Sequence, residues 1–288
     1  MIDAHHHLWD LNAVHYPWIL DETPRFFGDH APIRRNYLLP ELRSDARRHG
    51  GTGSVHIQVG AADPMEEAAW VDLIARDTPS WPMVQVAFAD LTAPGRDRAL
   101  DALGRLPSVV GVRQIVGRSP AEDAATGTND LLKNPAFLDG LQAVAARGWR
   151  FDLQLIPELM PATAAILRRV PELPVALCHA GSPHNRTPDG LRDWASALQE
   201  LSALPNVTCK LSGLGMFDHS WTPERLTPIV DTLLEQFGPD RLMFGSNFPV
   251  CSLSSDYTTL VWALLDLVPK DAHDAVFHAT AARFYGLH

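Results

Sequence analysis

The sequence predicts a closed (β/α)8 barrel, the TIM-barrel architecture, as a single domain over residues 1–288. Three observations carry that reading. Short apolar runs alternate with longer amphipathic ones along the whole chain, as in parallel strands joined by helical crossovers. Eight such runs can be read, the number that closes a barrel in a chain of this length. No Gly-x-Gly-x-x-Gly turn follows the first run, which removes the main argument for an open, doubly wound sheet.

The strands are expected at residues 1–5, 54–59, 83–88, 109–114, 150–155, 174–179, 206–211 and 241–246. Each is a short run rich in Val, Ile, Leu, Phe or Met, and almost every one carries a polar or titratable residue at or near its end. Helical periodicity is clear between several of them. Over residues 64–77, Met65, Ala68, Ala69, Val71, Leu73 and Ile74 form a stripe broken by Glu66, Glu67 and Asp72. Residues 134–147 and 223–237 repeat the pattern with Phe137, Leu138, Leu141 and Val144, and with Leu226, Ile229, Val230, Leu233 and Leu234. Thr222 before Pro223 reads as an N-cap followed by proline in the first turn. Gly148 and Gly238 read as C-terminal stops. Residues 12–36 and 182–190 read as loops, rich in Pro, Asp, Asn and Arg, and neither resembles an interdomain linker.

Reacting groups of such a barrel sit at the carboxyl ends of the strands. The first strand runs into His5 and His7, two apart and therefore on one side of an extended chain, with His6 on the other. Gln58 follows on the second, Asp90 just past the third, Arg113 and Gln114 on the fourth, and Asp152 and Gln154 on the fifth. His179, then Lys210 and Ser212, then Ser246 and Asn247 complete the rim. Ordinary strand caps are Ser, Asn, Asp and Gly; a rim of His, Arg, Lys and Gln points to one shared site.

These residues also resemble a known family. The opening Asp3-Ala-His-His-His-Leu-Trp-Asp10 is similar to the His-x-His start of the amidohydrolase superfamily. The stretches 206–214 (NVTCKLSGL), 237–246 (FGPDRLMFGS) and 281–286 (AARFYG) resemble its lactonase-type branch, which includes hydrolases of sugar-acid and dicarboxylate lactones. The resemblance runs nearly end to end and implies a metal-dependent-hydrolase-like barrel that opens a small lactone or cyclic ester. There is a departure. The family usually carries Asp at the end of the eighth strand, as metal ligand and general base. Here Asn247 stands there, a neutral amide that cannot take a proton from water. The fifth strand has Asp152 and Gln154 in place of the His of two-metal relatives.

On this basis His5 and His7 are expected to hold a single divalent metal such as zinc, or the substrate carbonyl in a metal-free mechanism. His179 is the candidate general base. Arg113 would anchor a substrate carboxylate, unless it pairs with Asp152. Lys210 would stabilise charge on the carbonyl oxygen, unless it pairs with a barrel carboxylate. Gln58 and Gln154 would bond sugar hydroxyls. Cys178 and Cys209 should turn toward the helices. His184, Arg186, Asp218 and His219 lie on loops that are either a lid or solvated surface. Trp9, Trp18, Trp221 and Phe248 either pack or wall a pocket. Two other functions stay open: a zinc-dependent non-oxidative decarboxylase of a small aromatic acid, and a ligand-binding barrel that has lost catalysis, the latter motivated by Asn247.

Composition narrows the rest. A formal net charge of -10 with no basic block argues against nucleic acid. The absence of a long apolar stretch and of a signal-like N-terminus argues against a membrane. Three scattered cysteines fit a reducing cytoplasm rather than a disulfide scaffold. The expected partner is a small-molecule substrate, and the sequence leaves a homo-oligomer open.

Overall fold

A computed structural model describes residues 1–22 and 25–287; positions 23, 24 (within the expected loop 12–36) and 288 lie outside it. Eight strands form one parallel sheet in sequence order: β1 (Ile2–His6), β2 (Gly53–Ile57), β3 (Met83–Ala87), β4 (Val109–Ile115), β5 (Arg150–Gln154), β6 (Val175–Leu177), β7 (Val207–Leu211) and β8 (Leu242–Phe244). The ring closes through the chain just past β8: Asn247 N–H donates to the His5 carbonyl at 2.7 Å and His7 N–H to the Phe248 carbonyl at 2.8 Å. Gly245 makes that seam possible, since a Cβ there would lie 2.6 Å from the His5 Cβ.

The helices are α1 (Pro17–Leu20), α2 (Leu39–Arg47), α3 (Pro64–Asp77), α4 (Arg96–Leu103), α5 (Pro120–Thr126), α6 (Pro135–Ala146), α7 (Met160–Leu167), α8 (Pro188–Ser202), α9 (Pro223–Phe237), α10 (Tyr257–Leu267) and α11 (Thr280–Tyr285). α3 and α9 coincide with the periodic stretches at 64–77 and 223–237, and α6 falls inside 134–147. Asp63 caps α3 by accepting from Met65 N–H and Glu66 N–H. Thr222 stands at the N-cap of α9, but its side chain makes no capping bond. The stretch 12–36, expected as loop, contains α1 and a short 3₁₀ turn at Ala31–Ile33.

Alternation sorts the core into two layers. Ile2, Ala4, Val55, Ile57, Val86, Ala176 and Met243 fill the barrel with Ala281, Tyr285 and Leu287 from the C-terminal segment. Outward residues such as Val175, Leu177, Val207 and Cys209 join the larger cluster against the helices. α11 enters at the amino ends of the strands, where Arg150 at the start of β5 donates to the Phe284 carbonyl at 2.7 Å. The opposite mouth is left to the loops. No helix among the described residues is long and apolar enough to cross a membrane.

Candidate active site

The geometry of the mouth begins with an irregularity in β1. Ile2 pairs with Gly53 and Asp3 with Ser54, but the next partners are His6 and His56, so the register shifts between Asp3 and His6. A bulge of this kind adds a residue and reverses which positions face inward. Ile2 and Ala4 therefore point into the barrel and so do the odd-numbered His5 and His7. Asp3 turns outward, accepting from Ser246 N–H at 2.8 Å and from the Tyr257 hydroxyl at 3.1 Å. His6 also turns outward, its Nε2 2.9 Å from Ser54 Oγ.

His179 reaches the same place from β6 by a different route. Ala176 faces inward, and Cys178 continues that side, its Sγ 3.9 Å from Asp152 Oδ2. This corrects the expectation that Cys178 faces the helices: β6 ends at Leu177, and the chain turns immediately after Cys178. His179 sits at φ +55°, so its ring swings into the mouth as well. Its Nδ1 lies 3.0 Å from Ser212 Oγ, which also accepts its backbone N–H at 3.2 Å. Gly213 leaves room for this ring, because a Cβ there would stand 2.5 Å from Nδ1. Asn247 shares the left-handed conformation at φ +55°. Strain of this sort at non-glycine residues concentrates at functional sites.

The three imidazoles meet. The His5 ring centroid is 5.2 Å from that of His7 and 4.5 Å from that of His179. Burial holds all three well below the usual histidine range, with Arg113, Lys210 and neighbouring histidines adding to the effect. They are neutral near pH 7. The Ile57 carbonyl can only accept, so His7 Nδ1 donates to it at 2.7 Å and Nε2 keeps a lone pair. That Nε2 is 3.1 Å from the Asn247 side-chain amide.

Arg113 projects from β4 without an ion pair among the described residues. It donates to Gln154 Oε1 at 3.1 Å and to the Gln58 carbonyl, while its buried Nε has no partner. Asp152 belongs instead to Lys210, whose ammonium lies 2.5 Å from Asp152 Oδ2 and 2.8 Å from the Ala4 carbonyl. The Tyr285 hydroxyl completes this layer, 2.8 Å from Asp152 Oδ1. Lys210 and Asp152 are fully buried and form a floor beneath the mouth. This is the barrel-carboxylate pairing weighed for Lys210, and it takes the ammonium away from any substrate oxygen.

Above the floor is a cavity of about 730 Å³ lined by His7, His179 and Asn247, by Gln58, Arg113 and Gln154, and by Trp18 and the loops after β1 and β4. Nine of the rim residues singled out in the sequence thus converge: His7, Gln58, Asp90, Arg113, Gln114, Gln154, His179 and Asn247 line the cavity, and His5 packs against His7 and His179. His184, Arg186, Asp218 and His219 are not in that lining. Arg186 donates to the Pro183 and Leu214 carbonyls, and Asp218 pairs with Arg225 at 2.9 Å. Trp18 walls the cavity, whereas Trp9 is buried in the core. Arg25, Glu67 and Arg118 line the cavity and were not picked out in the sequence, because they lie on loops or a helix rather than at strand ends.

The mouth also offers donor atoms suited to a metal ion. Both His5 ring nitrogens are buried without a partner. His7 Nε2 and Asn247 Oδ1 are two acceptors facing each other, an arrangement relieved by turning the amide or by a shared cation. Imidazole nitrogens suit zinc, so His5 and His7 fit such an ion. A second grouping, His5 with Asp152 and Cys178, has ligand atoms within 4.8 Å of one another. It fits less well, since Lys210 and Tyr285 already occupy the carboxylate and burial pushes the Cys178 thiol up to about 12.

Comparison with known proteins places this site in context. A family profile described as amidohydrolase matches residues 2–287. An uncharacterized protein, y4mH, from Sinorhizobium fredii is 34% identical, with 99% of this chain and 98% of that protein covered. An L-fucono-1,5-lactonase from Burkholderia multivorans is 29% identical over 99% of this chain and 96% of its own length. The crystal structure of a Burkholderia multivorans amidohydrolase with bound zinc superposes with a TM-score of 0.84 at 26% identity, covering 100% of this chain and 99% of that one.

Proposed function

The chain belongs to the amidohydrolase family and is a hydrolase, and on that premise we propose that it opens the ring ester of a small sugar-acid or dicarboxylate lactone. The observation that carries this reading is the meeting of His5, His7 and His179 beside Arg113 at the base of one cavity. The lactonase name of a relative that spans nearly the whole chain supports the substrate class.

The residues perform the reaction as follows. Arg113 and the side-chain amides of Gln58 and Gln154 orient the lactone. Gln58 Oε1 accepts from Gly60 N–H at 2.9 Å and Gln154 Oε1 from Arg113, so each has its amide NH2 left to donate. In the tautomer that carries its proton on Nδ1, His179 donates to Ser212 Oγ, and Nε2 is then free to take a proton. A water oxygen adds to the carbonyl carbon as its proton passes to His179 Nε2. The ring C–O bond breaks, His179 returns the proton to the departing alkoxide, and the product is the open hydroxy acid. Arg113 stabilises the charge that develops on the carbonyl oxygen. His5 and His7 would hold a divalent ion such as zinc, which when bound polarises a carbonyl and makes water more acidic.

The test is hydrolysis of a panel of aldonolactones and dicarboxylate lactones followed with a pH indicator, beside elemental analysis of the protein. Turnover that falls with His179→Ala supports the reading. No turnover above buffer across the panel defeats it.

A further inference from the structure

The hydrolytic reading leaves two arginines of the cavity without a task. Arg25 lies in a tight turn in which Arg25 and Gly28 exchange backbone hydrogen bonds at 2.8 and 3.1 Å. Arg118 lies three residues beyond the end of β4. Both line the cavity that holds His7 and His179.

The segment around Arg118 is built to hold it still. Asn129 Oδ1 accepts Arg118 N–H at 2.8 Å, and Asn129 Nδ2 donates to the Arg118 carbonyl at 3.1 Å. Asp123 fixes Asn129 in turn, accepting its backbone N–H at 2.7 Å. The side chain is only 21% exposed, its Nε is buried without a partner, and Nη1 makes a loose ion pair with Glu122 Oε1 at 3.6 Å, too long for a hydrogen bond. Arg25 has no ion pair among the described residues. Burial holds the Arg118 guanidinium below its usual range; Glu122 counters this in part, and the charge of Arg25 adds to it. Glu122, which is not in the cavity lining, offsets one of these charges, and the positive charge left at the lining favours an anion in the cavity.

The acids of the same cavity do not supply it. Asp90 Oδ1 accepts the Thr92 N–H at 2.9 Å and hydroxyl at 2.8 Å. Asp130 pairs with Lys133 at 2.5 Å and is 73% exposed. Glu67 is 2% exposed, accepts Val59 N–H at 2.9 Å and faces His56 at 3.6 Å.

We propose that Arg118 and Arg25 form an anion subsite, so that the preferred lactone carries a carboxylate, or a sulfonate of the same chemistry, on an arm away from the ring. This rests on the lactone reading and divides the cavity in two: Arg113 and the histidines at the ring, Arg118 and Arg25 at the anionic arm. It also separates the two substrate types left open above, favouring an acidic lactone over a neutral sugar lactone.

The experiment has two arms. First, kcat/KM is measured for a lactone bearing a carboxymethyl group and for its methyl ester. The native protein should prefer the acid by about tenfold or more, and Arg118→Gln or Arg25→Gln should cut that ratio about tenfold. Second, glutarate and its dimethyl ester are titrated calorimetrically, which needs no turnover. Glutarate should bind more tightly, and each substitution should remove the difference. Equal binding of the two probes, or a preference untouched by both substitutions, overturns the proposal. If neither lactone turns over while the glutarate preference appears and falls with the substitutions, the subsite stands and the lactone reading fails.

Discussion

His7 Nδ1 donates to the Ile57 carbonyl at 2.7 Å, and this one bond decides which nitrogen faces the cavity. The next two residues of the same strand end hold two further cavity side chains: the Gln58 carbonyl accepts from Arg113, and Val59 N–H donates to Glu67. Three consecutive residues thus fix an imidazole, a cation and an acid through their backbone groups. The end of β2 works as a ruler for the site although it contributes little chemistry itself, a backbone support of the kind that orients ligating imidazoles in metal sites.

If His179 moves the proton, His179→Ala should lower kcat by about 10²- to 10⁴-fold while the melting temperature changes little. Steady-state kinetics on the best lactone of the panel checks this. A loss confined to KM would reassign His179 to binding.

The buried histidines set a pH dependence. His5, His6, His7 and His179 are all pushed well below 6.5 by burial, so in the acid range the unfolded chain binds more protons than the folded one. Stability from these groups is complete above about pH 6.5 and is lost as pH falls below it, with a slope of up to about 1.4 kcal/mol per pH unit for each histidine. Asp3 opposes this: burial raises it to about 6, so its own contribution weakens as pH rises from 3.8 through that value. Four groups outweigh one. Urea denaturation between pH 7.5 and 4.5 should show stability falling steadily on the acid side; a flat profile would contradict neutral burial of the histidines.

The floor predicts a large asymmetry. Lys210→Met leaves the Asp152 carboxylate buried with Tyr285 and no cation, and should cost about 3–5 kcal/mol. The double change Lys210→Met with Asp152→Leu removes both charges and should recover much of that loss. Chemical denaturation of both variants tests it. Equal losses would mean that the ion pair is not the organising element.

Asn247→Asp places a carboxylate beside His7. It should raise the affinity for zinc, measured by competition with a chelator, and shift the His7 pKa upward, read by NMR titration. Unchanged zinc affinity would exclude Asn247 and His7 as joint neighbours of an ion.

Gly213→Ala should lower activity more than its small size suggests. The added Cβ meets His179 Nδ1 at 2.5 Å, and φ is +64°, where only glycine is comfortable. Displacing the ring from Ser212 should reduce kcat by about tenfold or more, whereas Gly148→Ala, with open space around it, should affect stability alone.

The barrel was legible in the sequence because its signals are local. A strand buried on both faces must be apolar along its length, and a crossover helix must carry an apolar stripe. The pattern of runs therefore follows from burial alone, and so does the placing of reacting groups at the strands' carboxyl ends. The pairing of His5 with His7 was equally local, two residues apart on one strand. Partner choice was not. Arg113 and Lys210 both compete for Asp152, and only the closed barrel shows that Lys210 wins, because its long stem reaches down to the layer of Ala4 and Tyr285. Cys178 faces inward because it continues the Ala176 side, while the early end of β6 and the left-handed turn at His179 bring that ring inward as well; Arg25 and Arg118 meet a common cavity from loops whose course no periodicity encodes. Periodicity depends on what each residue must hide from water; charge pairing depends on which side chains, distant in sequence, share a layer once the ring has closed.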